Sequence, residues 1–140
     1  MSDPSPQTNT KRLLLIDDDE TFATGLSRVL VRAGWQVRTA AEGDEGLRMA
    51  AEERPDVVLL DLFMPGKDGY AISAEMHHIG GLAAVPIFVL TAFGQNVNEL
   101  HAMPPEKAAH IYGYLEKPID SDVLLEALER AIKDPRPRAR

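Results

Sequence analysis

Leu13-Leu-Leu-Ile-Asp-Asp-Asp19 is a short apolar run that ends in three consecutive carboxylates, and this arrangement gives the first indication of the fold. The same pattern, an apolar run closed by polar residues, recurs at 57–60 and 85–90. Runs without alternating polar residues are typical of central parallel strands that are covered on both faces. Shorter apolar stretches at 35–39 and 111–115 predict two further strands.

Helical spacing of apolar residues fills the segments between these strands. The faces are Phe22, Leu26, Val29, Leu30 and Ala33 in one segment, Ile72, Met76 and Ile79 in another, and Leu124, Leu128 and Ala131 in the last. Residues 43–53 and 94–103 predict two more helices, and Gly34 suits the left-handed position after the first helix. Five strands alternating with five helices predict an α/β fold, a doubly wound (βα)5 sandwich with a five-stranded parallel sheet.

The length and charge of the chain indicate one folded domain with basic ends. Its 140 residues suit a single core, and we expect a tail at 1–11, a domain at 12–133 and a Pro/Arg-rich tail or linker stub at 134–140. The net charge of -7 becomes -11 over residues 13–132, which disfavours direct nucleic-acid binding because phosphate backbones need Lys and Arg. Cysteine, a signal peptide and a membrane-length apolar run are absent from the sequence, so we expect a cytoplasmic location without membrane contact.

Polar side chains close four of the predicted strands, and all should meet at one edge of the sheet. They are Asp17 and Asp18 after the first strand, Asp61 after the third, Thr91 after the fourth and Lys117 after the fifth. Carboxylates gathered in one place repel by about 4 kcal/mol per pair at about 4 Å and an effective dielectric of about 20. The cluster therefore predicts a hard cation such as Mg²⁺, and with an ammonium and a hydroxyl it suits a phosphoryl group.

Four ordered segments carry a resemblance to a known family. They are Leu13-Leu-Leu-Ile-Asp-Asp-Asp19, Pro55-Asp-Val-Val-Leu-Leu-Asp-Leu-Phe-Met-Pro-Gly-Lys-Asp-Gly69, Val89-Leu-Thr-Ala92 and Tyr114-Leu-Glu-Lys-Pro118. In this order they resemble the signatures of the receiver domain of two-component response regulators, over about residues 12–133. The resemblance implies a flavodoxin-like fold and a signalling protein that is not a turnover enzyme.

The resemblance also implies a role for each residue of the cluster. Asp61 would accept a phosphoryl group from a sensor histidine kinase or a histidine phosphotransfer protein, with Mg²⁺ as cofactor. The implied metal ligands are Asp18 directly, Asp17 through water, Asp61 and the backbone carbonyl of Phe63. Thr91 and Lys117 are the implied contacts of the phosphoryl group, and Thr91 and Tyr114 are the implied switch residues. The bond before Pro118 is expected to be cis. The implied output is a changed surface around the fourth predicted helix, the fifth strand and the last helix, recognised by a downstream protein partner.

Two features depart from the family pattern. Phe63 and Phe93 stand two residues after Asp61 and Thr91, where receivers often have polar side chains. We hypothesise that both aromatics hinder the attacking water and prolong the phosphorylated state; the alternative is that they only pack on neighbouring loops. Met103-Pro104-Pro105 should interrupt the fourth helix, which predicts an atypical partner or weak dimerisation of the family type.

Three other interpretations stay open at this stage. A Mg²⁺-dependent phosphatase with an aspartate nucleophile, as in haloacid-dehalogenase-like hydrolases, would need a second acid where Phe63 stands. A pseudo-receiver would bind partners without phosphorylation, and the presence of the full acidic cluster with Thr91 and Lys117 argues against it. The sequence could also be a receiver from a larger regulator or hybrid kinase rather than a stand-alone one.

Overall fold

The structure, a computed structural model, describes residues 11–92 and 109–133. The predicted tails at 1–11 and 134–140 lie outside these residues, apart from Lys11, which is the first residue of a strand. So do Phe93, the helix predicted over 94–103 and the interruption predicted at Met103-Pro104-Pro105. These predictions stay untested.

A five-stranded parallel sheet with the strand order β2-β1-β3-β4-β5 forms the centre of the fold. Its strands are β1 (Lys11–Ile16), β2 (Trp35–Ala40), β3 (Val57–Asp61), β4 (Ile87–Thr91) and β5 (Gly113–Glu116). The described helices are α1 (Glu20–Arg32), α2 (Gly43–Glu52), α3 (Gly69–His77) and α4 (Ser121–Lys133). The predicted doubly wound, flavodoxin-like α/β fold is confirmed. None of these described helices combines the length and the apolar character needed to cross a membrane.

Two apolar layers cover the sheet, one on each face. Leu13 and Leu15 of β1 pack with α1 and α4, whereas Leu14 and Ile16 pack with α2 and α3. All four side chains are buried. Burial on both faces explains why β1 is an unbroken apolar run, and it fixes the register, because a slip of one residue would exchange the two layers.

Side-chain caps fix where two helices begin beside the carboxyl edge of the sheet. Asp19 Oδ1 accepts a hydrogen bond from the Phe22 N–H at 3.1 Å, and Asp68 Oδ1 accepts one from the Ala71 N–H at 2.9 Å. These bonds make Asp19 and Asp68 the N-caps of α1 and α3. At the other end of α1, Gly34 has a φ of 102°, the left-handed conformation that the sequence predicts there.

The tryptophan of the chain lies at the amino ends of the strands, opposite the predicted site. Trp35 begins β2, is 6% exposed and packs in the layer formed by α1 and α4. The Lys11 ammonium of the adjacent β1 lies 5.7 Å from the centroid of its ring, within the range of a cation–π contact. This end of the sheet is therefore closed by apolar packing.

We predict that Gly46→Ala destabilises the fold whereas Gly25→Ala stabilises it. A Cβ at the buried Gly46 of α2 would lie 2.4 Å from Ile16 Cδ1, so the buried Ile16 side chain, or α2 relative to β1, must shift. Overpacking of this kind costs about 1–3 kcal/mol. At Gly25 of α1 a Cβ would meet no neighbouring atom of the described residues within 4 Å, and Gly→Ala in a helix gains about 0.5–1 kcal/mol.

Chemical denaturation of both variants beside the wild type measures the two free energies of unfolding. Because the chemical change is identical, each variant is the control for the other. Equal effects would contradict the close packing of α2 on β1.

Candidate functional site

The carboxyl edge of the sheet collects the polar residues that close the strands. Asp17 follows β1, Asp61 ends β3, Thr91 ends β4 and Lys117 follows β5. The Lys117 N–H donates to the Thr91 carbonyl at 2.7 Å, which extends the pairing of β4 and β5 to the residue that carries the ammonium. The parallel register therefore brings these residues, together with Asp18, to one edge of the sheet.

Asp17, Asp18 and Asp61 form an acidic cluster at this edge. One carboxylate oxygen of each lies within 4.8 Å of those of the other two. Asp17 and Asp61 are 3% and 8% exposed, whereas Asp18 is exposed. Asp17 Oδ1 accepts a hydrogen bond from the Asp19 N–H at 2.9 Å, so the start of α1 holds one side of that carboxylate. The cluster thus has a buried floor and an open side.

The Lys117 ammonium places a positive charge in the cleft. Its Nζ lies 2.7 Å from Asp17 Oδ2, 3.5 Å from Asp61 Oδ1 and 4.3 Å from the centroid of the Phe22 ring. Burial disfavours charge on this side chain, but the hydrogen bond and the Coulomb attraction of Asp17 outweigh it and raise the pKa of Lys117. Lys117 therefore stays charged, and it compensates the charge of Asp17 more than that of Asp61.

The Asp61 carboxylate carries charge that this pairing leaves uncompensated. Burial, and then the negative charge of Asp17, raise the pKa of Asp61 from 3.8 to about 6, and the attraction of Lys117 offsets only part of this rise. Asp18 adds further repulsion. A buried carboxylate of raised pKa in a cleft is typical of functional sites, where it can bind a cation or attack an electrophile.

The donor set fits Mg²⁺. Asp17 Oδ2 is buried and, apart from its ion pair with Lys117, has no hydrogen-bond partner among residues 11–92 and 109–133. The three carboxylates present hard oxygen donors close enough to share one small cation, and Mg²⁺ prefers such donors. A divalent cation would relieve the repulsion that raises the pKa of Asp61.

A tight turn between β3 and α3 packs behind Asp61. The Gly69 N–H donates to the Leu62 carbonyl at 2.7 Å, and a Cβ at Gly69 would lie 3.1 Å from the Asp61 carbonyl oxygen. Gly66 has a φ of 90°, which glycine adopts without strain. Residues 64–69 thus form a turn whose Asp68 caps the next helix, and this turn holds the start of α3 against the backbone of Asp61.

The remaining predicted residues lie around this cluster, except for Phe93, which lies outside the described residues. Phe63 is 61% exposed, two residues after Asp61. The peptide bond between Lys117 and Pro118 is cis. Tyr114 on β5 is half-buried and packs against Leu62, Tyr70, Val89 and Ile111, a small apolar group on β3, α3, β4 and the approach to β5. The high exposure of Phe63 disfavours the alternative that it only packs on neighbouring loops.

Two aromatic residues of the site were not singled out from the sequence as site residues. Phe22 lies on the apolar face predicted for α1, but its ring also contacts the Lys117 ammonium. Tyr70, in the first turn of α3, shares a hydrogen bond of 3.0 Å with the Tyr114 hydroxyl. The helical spacing of apolar residues predicts Phe22 only as a core residue. Neither the contact of Phe22 with Lys117 nor that of Tyr70 with Tyr114 can be recognised from a local sequence pattern.

We predict that Asp61→Asn stabilises the metal-free fold by about 1–2 kcal/mol at pH 7.5, because it removes a charge that the cleft disfavours. The pKa of Asp61 is raised in the folded chain, so ionisation of Asp61 destabilises the wild type as the pH rises from 3.8 through about 6. The advantage of the variant is therefore full above about pH 6 and fades as the pH falls toward 3.8. Denaturant unfolding followed by circular dichroism across this range measures it.

Glu129→Gln, which removes the same charge from an exposed position of α4, is the matched control and should change stability little. Added Mg²⁺ should stabilise the wild type and narrow its difference from Asp61→Asn. A variant no more stable than the wild type at pH 7.5 would contradict the electrostatic description of the cleft.

Comparison with known proteins agrees with this geometry. The sequence model of the response regulator receiver domain matches residues 13–129. The protein PilH of Pseudomonas aeruginosa is 31% identical over 121 residues, which are 86% of this chain and 97% of PilH. The transcriptional regulatory protein AfsQ1 of Streptomyces coelicolor is 37% identical over 120 residues, which are 86% of this chain and 50% of AfsQ1.

A solved structure of similar fold contains a metal. It is the receiver domain of the sensor histidine kinase PA1611 from Pseudomonas aeruginosa PAO1, with a magnesium ion coordinated in the active site cleft. This domain is 30% identical, with a TM-score of 0.76, over 89% of this chain and 99% of that one. The chain therefore belongs to the response regulator receiver domain family of two-component signalling, and it is a signalling domain rather than a turnover enzyme.

Proposed function

We propose that this chain is a phosphorylation-dependent switch in which Asp61 accepts a phosphoryl group from a sensor histidine kinase or a histidine phosphotransfer protein. The observation that carries the proposal is the pairing of Lys117 with Asp17 beside Asp61. The negative charge of Asp61 is therefore only partly compensated and its pKa is raised, with the Lys117 ammonium 3.5 Å away. Such a group is suited to attack phosphorus while the charge that develops on the phosphoryl oxygens is neutralised.

The transfer step balances with the groups of the cleft. An Asp61 carboxylate oxygen forms a bond to phosphorus as the bond from phosphorus to the donor imidazole nitrogen breaks. The other ring nitrogen of that phosphoimidazole carries a proton from solvent before the transfer, so the leaving group is neutral imidazole. Lys117, already within 3.5 Å of Asp61 Oδ1, needs little movement to pair with the new phosphoryl oxygens. Thr91, buried at the end of the neighbouring strand, offers a hydroxyl donor.

Asp17, Asp18, Asp61 and the backbone carbonyl of Phe63 are the groups that would hold Mg²⁺ in this chain. The ion would supply charge neutralisation for the carboxylates and the phosphoryl oxygens. Two observations support this assignment: the magnesium ion in the PA1611 receiver domain, and the closeness of the three carboxylates in this chain.

The switch converts this charge change into a different surface. A phosphoryl group adds negative charge and acceptor oxygens within reach of Thr91 and Lys117, and Tyr114 follows the movement of Thr91. Moving a two-state equilibrium from about 1:99 to about 99:1 needs about 5.5 kcal/mol. Two or three charge-assisted hydrogen bonds of about 1.5–3 kcal/mol each supply that much. A downstream protein partner would recognise the surface around β5, α4 and the segment between β4 and β5.

We predict that incubation with Mg²⁺ and a small phosphodonor such as acetyl phosphate adds one phosphoryl group per chain, detected by intact mass. Asp61→Asn should abolish the addition, because it removes the attacking oxygen. Asp44→Asn is the matched control: Asp44 is an exposed carboxylate near the cleft that pairs with Lys67, and its loss should leave phosphorylation intact.

Three outcomes are distinguishable in this experiment. A single stable addition that needs Asp61 supports the switch. Continuous release of phosphate would indicate a phosphatase instead. An unmodified mass under all conditions would indicate a pseudo-receiver that acts without phosphorylation.

We also predict that Phe63→Asn shortens the lifetime of the phosphorylated chain at least about twofold, because the exposed Phe63 side chain, two residues after Asp61, would restrict the approach of water. Loss of the added mass after removal of the phosphodonor measures the lifetime. Val31→Asn is the control, since Val31 is 57% exposed near the far end of α1. Equal lifetimes of wild type and Phe63→Asn would remove this role, and Phe93→Glu tests the second aromatic in the same way.

A further inference from the structure

Tyr70 of α3 and Tyr114 of β5 share a hydrogen bond. Their hydroxyl oxygens are 3.0 Å apart, and Tyr70 is 4% exposed. Tyr70 belongs to the buried apolar group that also contains Leu62, Val89 and Ile111, and Tyr114 packs against this group. Tyr114 is thus held against the interior by a polar contact as well as by apolar packing.

We infer that Tyr70 is a positioning residue for the switch: its hydroxyl holds Tyr114 in the half-buried position. The inference rests on the proposed function, in which phosphorylation favours the same inward position of Tyr114. Two groups that stabilise one state strengthen each other, so the Tyr70 hydroxyl and the phosphoryl group are coupled.

The burial of Tyr70 makes the loss of this hydrogen bond energetically costly. If Tyr114 turned outward, the Tyr70 hydroxyl would stay buried and would lose the partner it has in this structure, which is costly for a polar group. Burial, and then the hydrogen bond to Tyr114, raise the pKa of Tyr70, so its hydroxyl stays protonated at neutral pH. The outward position of Tyr114 is therefore penalised by a residue of a different element.

Tyr70 is also anchored to the backbone of Asp61. It follows Gly69, whose N–H donates to the Leu62 carbonyl and where a Cβ would lie 3.1 Å from the Asp61 carbonyl oxygen. The Tyr70 carbonyl accepts a hydrogen bond from the buried Ser73 hydroxyl at 2.9 Å, which fixes the first turn of α3. This path joins Asp61 to Tyr114 through α3, separately from the path through Thr91 and β4.

The test compares Tyr70→Phe with Tyr112→Phe in the full chain. Tyr112 is the matched control because it is also a partly buried tyrosine beside β5, but it packs in the layer of α1 and α4. The chain has three tyrosines, so ring signals in a tyrosine-labelled NMR sample can be assigned from the Phe variants. Without phosphodonor, Tyr70→Phe should shift the Tyr114 ring signals toward solvent-exposed values, and Tyr112→Phe should leave them unchanged.

The affinity for beryllium fluoride with Mg²⁺, which mimics a phosphoryl group on a carboxylate, measures the coupling. One neutral hydrogen bond of about 1 kcal/mol corresponds to about a fivefold change. Tyr70→Phe should therefore weaken binding about fivefold and Tyr112→Phe should not. Tyr70→Phe combined with Tyr114→Phe should bind no more weakly than Tyr114→Phe alone, because the shared bond is already lost.

The two measurements separate the inference from the proposed function. Unchanged Tyr114 signals in Tyr70→Phe, or equal effects of Tyr70→Phe and Tyr112→Phe on affinity, would overturn the role of Tyr70. A wild-type chain that binds no beryllium fluoride would overturn the proposed function, and the NMR comparison would still decide whether Tyr70 holds Tyr114.

Discussion

The ion pair between Lys117 and the buried Asp17 is the interaction on which the site depends. Asp17 is 3% exposed, and burial of a carboxylate is costly without a cation or hydrogen bonds beside it. Lys117 supplies the cation at 2.7 Å, and the Asp19 N–H supplies a hydrogen bond. With Asp17 satisfied in this way, Asp61 becomes the group that remains short of positive charge. The reactivity assigned to Asp61 therefore originates in a neighbouring pair.

The fold produces this imbalance through strand order. β1 and β3 are adjacent, so Asp17 and Asp61 must end side by side, and β4 and β5 bring Thr91 and Lys117 to the same edge. Apolar layers on both faces prevent the strands from slipping, because a shift of one residue would exchange the side chains of the two layers and disrupt their packing. The hydrophobic core thus provides the restraint that keeps like charges together against their repulsion. Neither the core nor the cluster can be altered without effect on the other.

Much of this arrangement could be predicted from sequence because it depends on local patterns. Unbroken apolar runs identify buried parallel strands, and the residue that ends each run must lie at the carboxyl edge. The three aspartates after β1 are chemically identical, yet Asp17 is buried in an ion pair, Asp18 is exposed and Asp19 caps α1. The contact of Tyr70 with Tyr114 could not be predicted, since it depends on how the start of α3 lies over β5. Nearness of side chains from different elements is set by packing, which leaves no periodic trace in the sequence.

The position of Trp35 has a practical consequence for optical measurements. This residue is the one tryptophan of the sequence, and it is buried at the amino ends of the strands, away from the carboxylates. Its fluorescence therefore reports whether the core is intact but is remote from charge changes at the opposite edge. Emission from Trp35 can monitor unfolding while mass or NMR measurements follow the cleft, so one sample yields two independent signals. A molecule with its intrinsic fluorophore near Asp61 would not offer this separation.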